Sequence, residues 1–112
     1  MNTIIIEERK NETTTHYFSL VKHEKEIGRA RLIVAKNSLH ENPFGLLEDV
    51  FVLENFQGKG YGTKILKAVI TKAKEIGCYK LIATSRFERE LVHGLYEKIG
   101  FVHTSKAFRM NL

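Results

Sequence analysis

The sequence predicts an α+β fold, a mixed, mostly antiparallel central sheet carrying two main helices. Three observations support it. Residues 3–35 are rich in β-branched and aromatic types, interrupted only by polar segments at Lys10-Asn11-Glu12 and Glu24-Lys25-Glu26. After a cluster of glycines at 58, 60 and 62, apolar residues recur at helical spacing. A short apolar stretch then separates that helix from a second periodic segment. With 112 residues and 43% apolar content the chain has enough apolar surface for one core, so a single domain over 1–112 is expected.

The first half reads as three antiparallel strands, about 3–8, 14–23 and 27–35. Lys36 to Gly45, with Asn37, Asn42, Pro43 and Gly45, carries the chemistry of a loop. Leu46 to Leu53 is an apolar run interrupted by Glu48 and Asp49 and reads as a buried central strand. Alternation along it sends Glu48 and Asp49 to opposite faces.

The most clearly periodic segment follows. Ile65, Leu66, Val69, Ile70, Ala73 and Ile76 mark one helix face, and Gly77 stands where a left-handed C-terminal cap belongs. Leu81-Ile82-Ala83-Thr84 is a short buried strand. Leu91, Val92, Leu95 and Ile99 mark a second helix, stopped by Gly100. Phe101 to Thr104 and Ala107 to Met110 suit a closing pair of strands. No internal repeat or low-complexity segment is present.

Composition narrows the function. No apolar run is long enough to span a membrane and no N-terminal stretch reads as an export signal, so a cytoplasmic protein is expected. The single Cys78 cannot form an internal disulfide, and no Cys/His group has metal-ligand spacing. A formal charge of +5 favours anionic partners. It does not select nucleic acid, because the cations are scattered and no recognition-helix or RNA-binding signature accompanies them.

The glycine cluster carries the most chemistry. Glycines at alternate positions between a strand and a helix let the backbone turn tightly, exposing N–H groups that, with the helix N-terminus, bind phosphate oxygens. The spacing fits neither G-x-x-x-x-G-K-[ST] nor G-x-G-x-x-G, since position 63 is Thr, and no parallel βαβ unit with an earlier strand is expected. Taken alone, the cluster is compatible with a merely glycine-rich turn.

Its surroundings resemble a known family. Leu47-Glu48-Asp49-Val50-Phe51-Val52-Leu53-Glu54-Asn55-Phe56-Gln57-Gly58-Lys59-Gly60-Tyr61-Gly62 is similar to the GNAT superfamily of N-acetyltransferases, in which a strand leads into [QR]-x-x-G-x-[GA]. Gln57, Gly60 and Gly62 fill the fixed positions. Tyr96-Glu97-Lys98-Ile99-Gly100-Phe101 resembles the family's Y-E-K-x-G-F ending of the last helix. The likeness runs from about Leu46 to Phe101.

The resemblance implies acetyl-CoA as acyl donor, no metal, and direct transfer to an amine in a ternary complex. It assigns the CoA pyrophosphate to the backbone of Gln57, Gly58, Lys59, Gly60, Tyr61 and Gly62, with Thr63 next to them. It assigns the pantetheine arm to Val52 and Leu53. Splaying between the strands at 46–53 and 81–84 is expected to form the acyl slot, with a thioester-polarising N–H near Val50 to Val52.

A primary amine with a pKa of about 10 is only about one part in a thousand neutral at pH 7, so a base is required. Glu48 is the first candidate, the plainer alternative being a carboxylate paired with a cation. Tyr96 occupies the family's position for the acid that protonates the leaving thiolate, and the same position suits a packed aromatic. Arg89 stands where many relatives carry Asn, and its guanidinium, like that of Arg86, is a candidate contact for a cofactor phosphate or an anionic acceptor, the plainer alternative being a solvated surface arginine. His93, three residues before Tyr96, is a second proton-transfer candidate or a packed histidine. Lys59, Lys64 and Lys67 cluster near the loop. Cys78 reads as a small buried residue rather than an acyl-carrying nucleophile.

The family's usual helices between the first two strands have no room here, where about five residues connect them. The acceptor side is therefore expected to be open, built from the 36–45 loop, or completed by another subunit in a homodimer. Small amines, amino-sugar phosphates and peptide amines all remain acceptors. The competing reading is a non-catalytic acyl-CoA-binding or sensing domain.

Overall fold

The computed structural model describes residues 3–112 and contains four strands and two α-helices. In order these are β1 (Thr14–Lys22), β2 (Lys25–Ala35), β3 (Phe44–Val52), a single 3₁₀ turn (Glu54–Phe56), α1 (Tyr61–Ile76), β4 (Leu81–Ala83) and α2 (Glu90–Ile99). The strands form one sheet in the order β1-β2-β3-β4. The first two pairings are antiparallel and β3 pairs with β4 in parallel. No helix among the described residues is long and apolar enough to cross a membrane.

β1 and β2 form a hairpin closed by His23 and Glu24, both at positive φ (50° and 64°). Two consecutive left-handed residues give a turn whose twist matches that of the flanking strands. Its tightness holds Lys22 opposite Lys25.

α1 packs on one face of the sheet. Ile65, Leu66, Val69 and Ala73 are buried from the helix, and they meet Ala30 and Leu32 of β2 and Leu47 of β3. Full burial of side chains such as Leu66 and Val69 stabilises by about 1.5–3 kcal/mol each relative to exposure. The opposite face, with Tyr17, Arg29, Arg31 and Phe51, is uncovered. Among the described residues no helix precedes β1.

Both helices end in the same cap. At α1, Gly77 (φ 90°) donates to Lys74 O at 3.1 Å and Cys78 N–H to Ala73 O at 2.9 Å. At α2, Gly100 (φ 123°) donates to Glu97 O at 3.1 Å and Phe101 N–H to Tyr96 O at 2.9 Å. This is the Schellman arrangement, which satisfies carbonyls that the helix end leaves unpaired. Both stops expected at Gly77 and Gly100 are present.

Three expectations are corrected. Residues 3–8 are not a strand: Ile4, Ile5 and Ile6 are exposed and no neighbour supplies a ladder. Nor do 101–104 and 107–110 form a closing hairpin, and Val102, Phe108 and Met110 are exposed. In each case β propensity is present, but a strand exists only where a partner accepts its hydrogen bonds. These extended ends account for a radius of gyration of 17.0 Å, above the roughly 13 Å of a compact chain of this length. Finally, α1 joins β3 to β4 in parallel, so the glycine cluster does open a βαβ unit.

Candidate functional site

The site is built where β3 and β4 part. Their pairing covers only Gly45↔Leu81, Leu46↔Ile82 and Leu47↔Ala83. Beyond Leu47, β3 continues to Val52 with no neighbour on that side, while its other edge stays paired to β2. A wedge therefore opens beside Glu48, Asp49, Val50, Phe51 and Val52. β4 ends at Ala83, so the acyl slot expected between the two strands falls along this open edge of β3.

A β-bulge lies at the start of the wedge. Arg31 pairs with Glu48 and Arg29 with Phe51, so Asp49 and Val50 together oppose the single residue Ala30. Asp49 has φ 53°. Its carboxylate accepts from Arg29 Nε at 2.9 Å and Nη2 at 3.3 Å, and lies 3.6 Å from Arg31 Nε. The hydrogen bond from Arg29 holds the Asp49 carboxyl below its ordinary pKa.

The bulge overturns the expected alternation. Glu48 stands across from Arg31, and directly opposed residues share a face. Asp49 reaches the same Arg31, so the two carboxylates lie on one side rather than on opposite sides. Because Arg31 turns to Asp49, Glu48 is left exposed and without an ion pair among the described residues. Val50 and Val52 pack toward α1, and Leu53 N–H donates to Ile27 O at 2.9 Å.

The chain leaves β3 through the 3₁₀ turn at 54–56, which the sequence reading did not anticipate, and enters the glycine loop. Gln57 folds back to donate from Nε2 to Val52 O at 2.9 Å, tying the loop to the strand end. Gly58 and Gly60 have φ of 75° and 83°, a region that L side chains adopt only with strain. Gly60 is the N-cap of α1, with no side chain capping the helix. No backbone carbonyl takes the N–H of Gly58, Lys59 or Gly60, and those of Tyr61, Gly62 and Thr63 lie in the first helical turn, where no internal partner exists. The result is a run of N–H donors at the positive end of a 16-residue helix.

Gly62 is where the loop, β3 and α2 converge. A Cβ there would lie 3.1 Å from Leu95 Cδ2 and 4.0 Å from Val52 Cγ2. One residue beyond Leu95, Tyr96 is 9% exposed within the core, and no hydrogen bond among the described residues takes up its hydroxyl. Burial raises the Tyr96 pKa, with Arg89 opposing the shift and Glu48 adding to it. Both charges thus act on the phenol, which stays protonated at neutral pH. Three predicted residues, Glu48, Arg89 and Tyr96, are therefore within electrostatic reach of one another.

Other candidates go elsewhere. His93 Nε2 donates to Arg86 O at 2.7 Å, so this half-buried ring braces the turn before α2. Arg89 N–H donates to Arg86 O at 3.1 Å in the same turn, leaving both guanidiniums exposed. Lys64 and Lys67 lie on the exposed face of α1. Cys78 sits 3.8 Å from a Cβ built on Gly45, at the far end of the β3/β4 pairing, and burial raises its thiol pKa. A protonated thiol is a poor nucleophile.

Two residues escaped the sequence reading. Lys22 Nζ lies 3.4 Å from Tyr61 Oη and 5.7 Å from the centre of the Phe56 ring, which Lys59 also approaches at 5.7 Å. The β1–β2 hairpin thus brings a second cation to the glycine loop across 39 residues of sequence. Ser85, directly after β4, has a buried Oγ with no partner. A buried hydroxyl without a partner is costly. Neither carries a local sequence signal.

Comparison with known proteins agrees with this geometry. Residues 2–101 match the family model described as Acetyltransferase (GNAT) family. The chain is 35% identical over 78 residues to an aminoglycoside N(6')-acetyltransferase type 1 of Stenotrophomonas maltophilia, covering 68% of this chain and 51% of that protein. It is 32% identical over 101 residues to a probable glucosamine 6-phosphate N-acetyltransferase of Drosophila melanogaster, covering 89% of this chain and 39% of that one. The chain thus spans about half or less of these relatives' length. Among solved structures, a putative acetyltransferase from Agrobacterium tumefaciens superposes with a TM-score of 0.82 at 27% identity, covering 88% of this chain and 69% of that one.

Proposed function

Because the chain belongs to the acetyltransferase (GNAT) family, we propose that it is a single N-acetyltransferase domain that moves acetyl from acetyl-CoA directly to an amine. The observation that carries this reading is the parting of β3 from β4 after Leu47 beside a glycine loop whose N–H groups have no partner. The residues present suit such a ligand. The loop and the α1 N-terminus offer donors for phosphate oxygens, and the one-sided stretch of β3 offers backbone groups to an extended amide-bearing arm. The unpartnered Ser85 hydroxyl adds a polar group at the end of β4.

Acetyl-CoA supplies the acetyl group as a thioester. In our reading the N–H groups from Gly58 to Thr63 hold the pyrophosphate, that of Gln57, expected among them, being taken by Glu54 O at 3.2 Å, and Lys59 adds charge. Val52 pairs with the pantetheine arm, whereas Leu53, expected beside it, already donates its N–H to Ile27 O at 2.9 Å and accepts at its carbonyl from Phe56 N–H at 2.8 Å. A β3 N–H at Val50 to Val52 donates to the thioester carbonyl. Glu48 accepts, directly or through water, the proton that the acceptor ammonium must lose before its nitrogen attacks. The unpaired state of its carboxylate supports that role over a structural ion pair. As the C–N bond forms and the C–S bond breaks, Tyr96 Oη gives its proton to the departing sulfur. Its raised pKa supports a phenol that holds that proton at neutral pH. Arg89 sits near enough to Tyr96 to contact cofactor or acceptor from the α2 N-terminus.

For the acceptor, the names of the two curated relatives direct attention to amines borne on sugars. Amino sugars and their phosphates come first, with small amines and peptide amines behind. A reduced compartment, the cytoplasm, suits the single thiol. An acetyl-CoA consumption screen over amino sugars, sugar phosphates, aminoglycosides, polyamines, amino acids and peptides tests the reading, alongside calorimetry with acetyl-CoA. Failure to bind acetyl-CoA sinks it. Binding without turnover of any amine replaces the enzyme with an acyl-CoA-binding domain.

A further inference from the structure

The bulge in β3 has an unusual occupant. With one residue in the left-handed region and two residues opposing one, it has the form in which position 1 is normally glycine. Here position 1 is Asp49, a residue that accepts φ 53° only with some strain. In compensation its carboxylate is gripped from β2 by two arginines, at 2.9 and 3.3 Å from Arg29 and 3.6 Å from Arg31. The arginines are themselves held. The Arg29 guanidinium lies 4.9 Å from the centre of the Phe51 ring and that of Arg31 lies 5.3 Å from the centre of the Tyr17 ring. Phe51 belongs to β3 and Tyr17 to β1, so the clamp ties three strands together at one point.

That point is where β4 leaves. β3 loses its neighbour after Leu47, and the next two residues are Glu48 and the clamped Asp49. Without β4, only β2 can fix the direction of the β3 backbone through the wedge, and at the bulge the β2–β3 ladder is itself interrupted. We infer that Asp49 is a positioning residue for acyl transfer: the Arg29–Asp49–Arg31 clamp holds the bulge that directs the Val50 backbone into the wedge and brings Asp49 onto the face of Glu48. This rests on the acetyltransferase reading for its kinetic consequence, but not for its structural one. The clamp also explains why Glu48 is unpaired, since it takes up the arginine that stands directly across from it.

Glycine and alanine at position 49 separate the two contributions. Asp49→Gly accepts the left-handed conformation but lacks the clamp, whereas Asp49→Ala loses both. Asp49→Asn accepts the conformation and keeps a neutral acceptor for Arg29. The expected result is that Asp49→Gly folds with a wild-type circular dichroism spectrum and binds acetyl-CoA within about threefold of wild type, but loses about tenfold in kcat, part of the 10²–10³ that a missing carbonyl donor costs. Asp49→Asn recovers part of that loss, and an Arg29→Gln, Arg31→Gln double variant reproduces it. Independently of turnover, ¹⁵N relaxation dispersion gains millisecond exchange at the amides of Glu48 and Val50 in Asp49→Gly and in the double arginine variant. Wild-type kcat with unchanged amide dispersion in Asp49→Gly overturns the proposal. If the wild-type protein acetylates nothing, the acetyltransferase reading fails by itself, and dispersion at residues 48 and 50 still decides the clamp, its absence from both variants refuting it.

Discussion

Phe101 closes on Tyr96 twice: its N–H donates to the Tyr96 carbonyl at 2.9 Å, and the two rings lie 5.2 Å apart, tilted by 46°. The first contact is the outer hydrogen bond of the Schellman cap and the second is the apolar contact that often accompanies it. The Tyr-x-x-x-Gly-Phe spacing is thus a helix-stop device as well as the carrier of the hydroxyl proposed as the acid. Tyr96→Phe keeps the device and removes the hydroxyl. We expect stability within about 0.5 kcal/mol of wild type and a kcat lower by about a hundredfold, measured by thermal melting and acetyl-CoA consumption. Undiminished kcat would remove Tyr96 as the acid.

Phe101→Ala tests the other half. Removing a partly buried ring from beside Tyr96 costs about 2–3 kcal/mol, below the range for a fully buried aromatic. The cap hydrogen bond survives, because it is made by the backbone. Chemical denaturation reads the loss, and a kcat decrease at temperatures where the variant remains folded shows that the ring also orients Tyr96.

The pH dependence follows from the raised pKa of Tyr96. A phenol that loses its proton above the ordinary value of about 10 stays competent as an acid throughout the neutral and mildly alkaline range. No alkaline fall in kcat assignable to this group is expected below pH 10. The sign for stability is the same: with the folded pKa above the unfolded one, the contribution is complete below about pH 10 and is lost as pH rises through the folded value. An alkaline limb near pH 8 that vanishes in Tyr96→Phe contradicts this.

Ser85→Ala removes a buried hydroxyl that has no partner. The ligand-free protein should be unchanged or more stable by about 1 kcal/mol, since an unsatisfied polar group is deleted. If the hydroxyl serves bound acetyl-CoA or acceptor, affinity or KM worsens by several-fold, about the worth of one neutral hydrogen bond. A stability loss above about 1 kcal/mol would mean that the hydroxyl is satisfied in the protein.

Lys22→Ala removes the cation that the β1–β2 hairpin brings to Tyr61 and Phe56. An exposed charge acting on a phosphate is worth about 1 kcal/mol or less, so the Kd for CoA should rise about three- to fivefold at low salt. The difference should shrink toward 0.5 M salt, where screening is strong. An equal loss at all salt concentrations points to damaged packing.

Helix ends and the glycine loop were legible because they are local. Gly77 and Gly100 stop helices through bonds within four or five residues, and Ile65, Leu66, Val69 and Ala73 declare a buried face by spacing alone. The terminal segments were misread because Ile4-Ile5-Ile6 and Ala107 to Met110 have the composition of strands, while a strand depends on a neighbour that local sequence does not specify. Glu48 and Asp49 were assigned to opposite faces because alternation holds only where the ladder has no extra residue, and an aspartate does not announce a bulge as glycine does.

By itself the sequence determined the strand and helix order between Thr14 and Ile99, the helix stops at Gly77 and Gly100, the loop of N–H donors and the family, all properties set by spacing along the chain. Tertiary structure decided the wedge between β3 and β4, the shared face of Glu48 and Asp49, the nearness of Lys22 to the loop and the field of Glu48 and Arg89 on Tyr96. The physical reason is that each of these is a relation between residues far apart in the chain, fixed by strand pairing and packing rather than by any local preference.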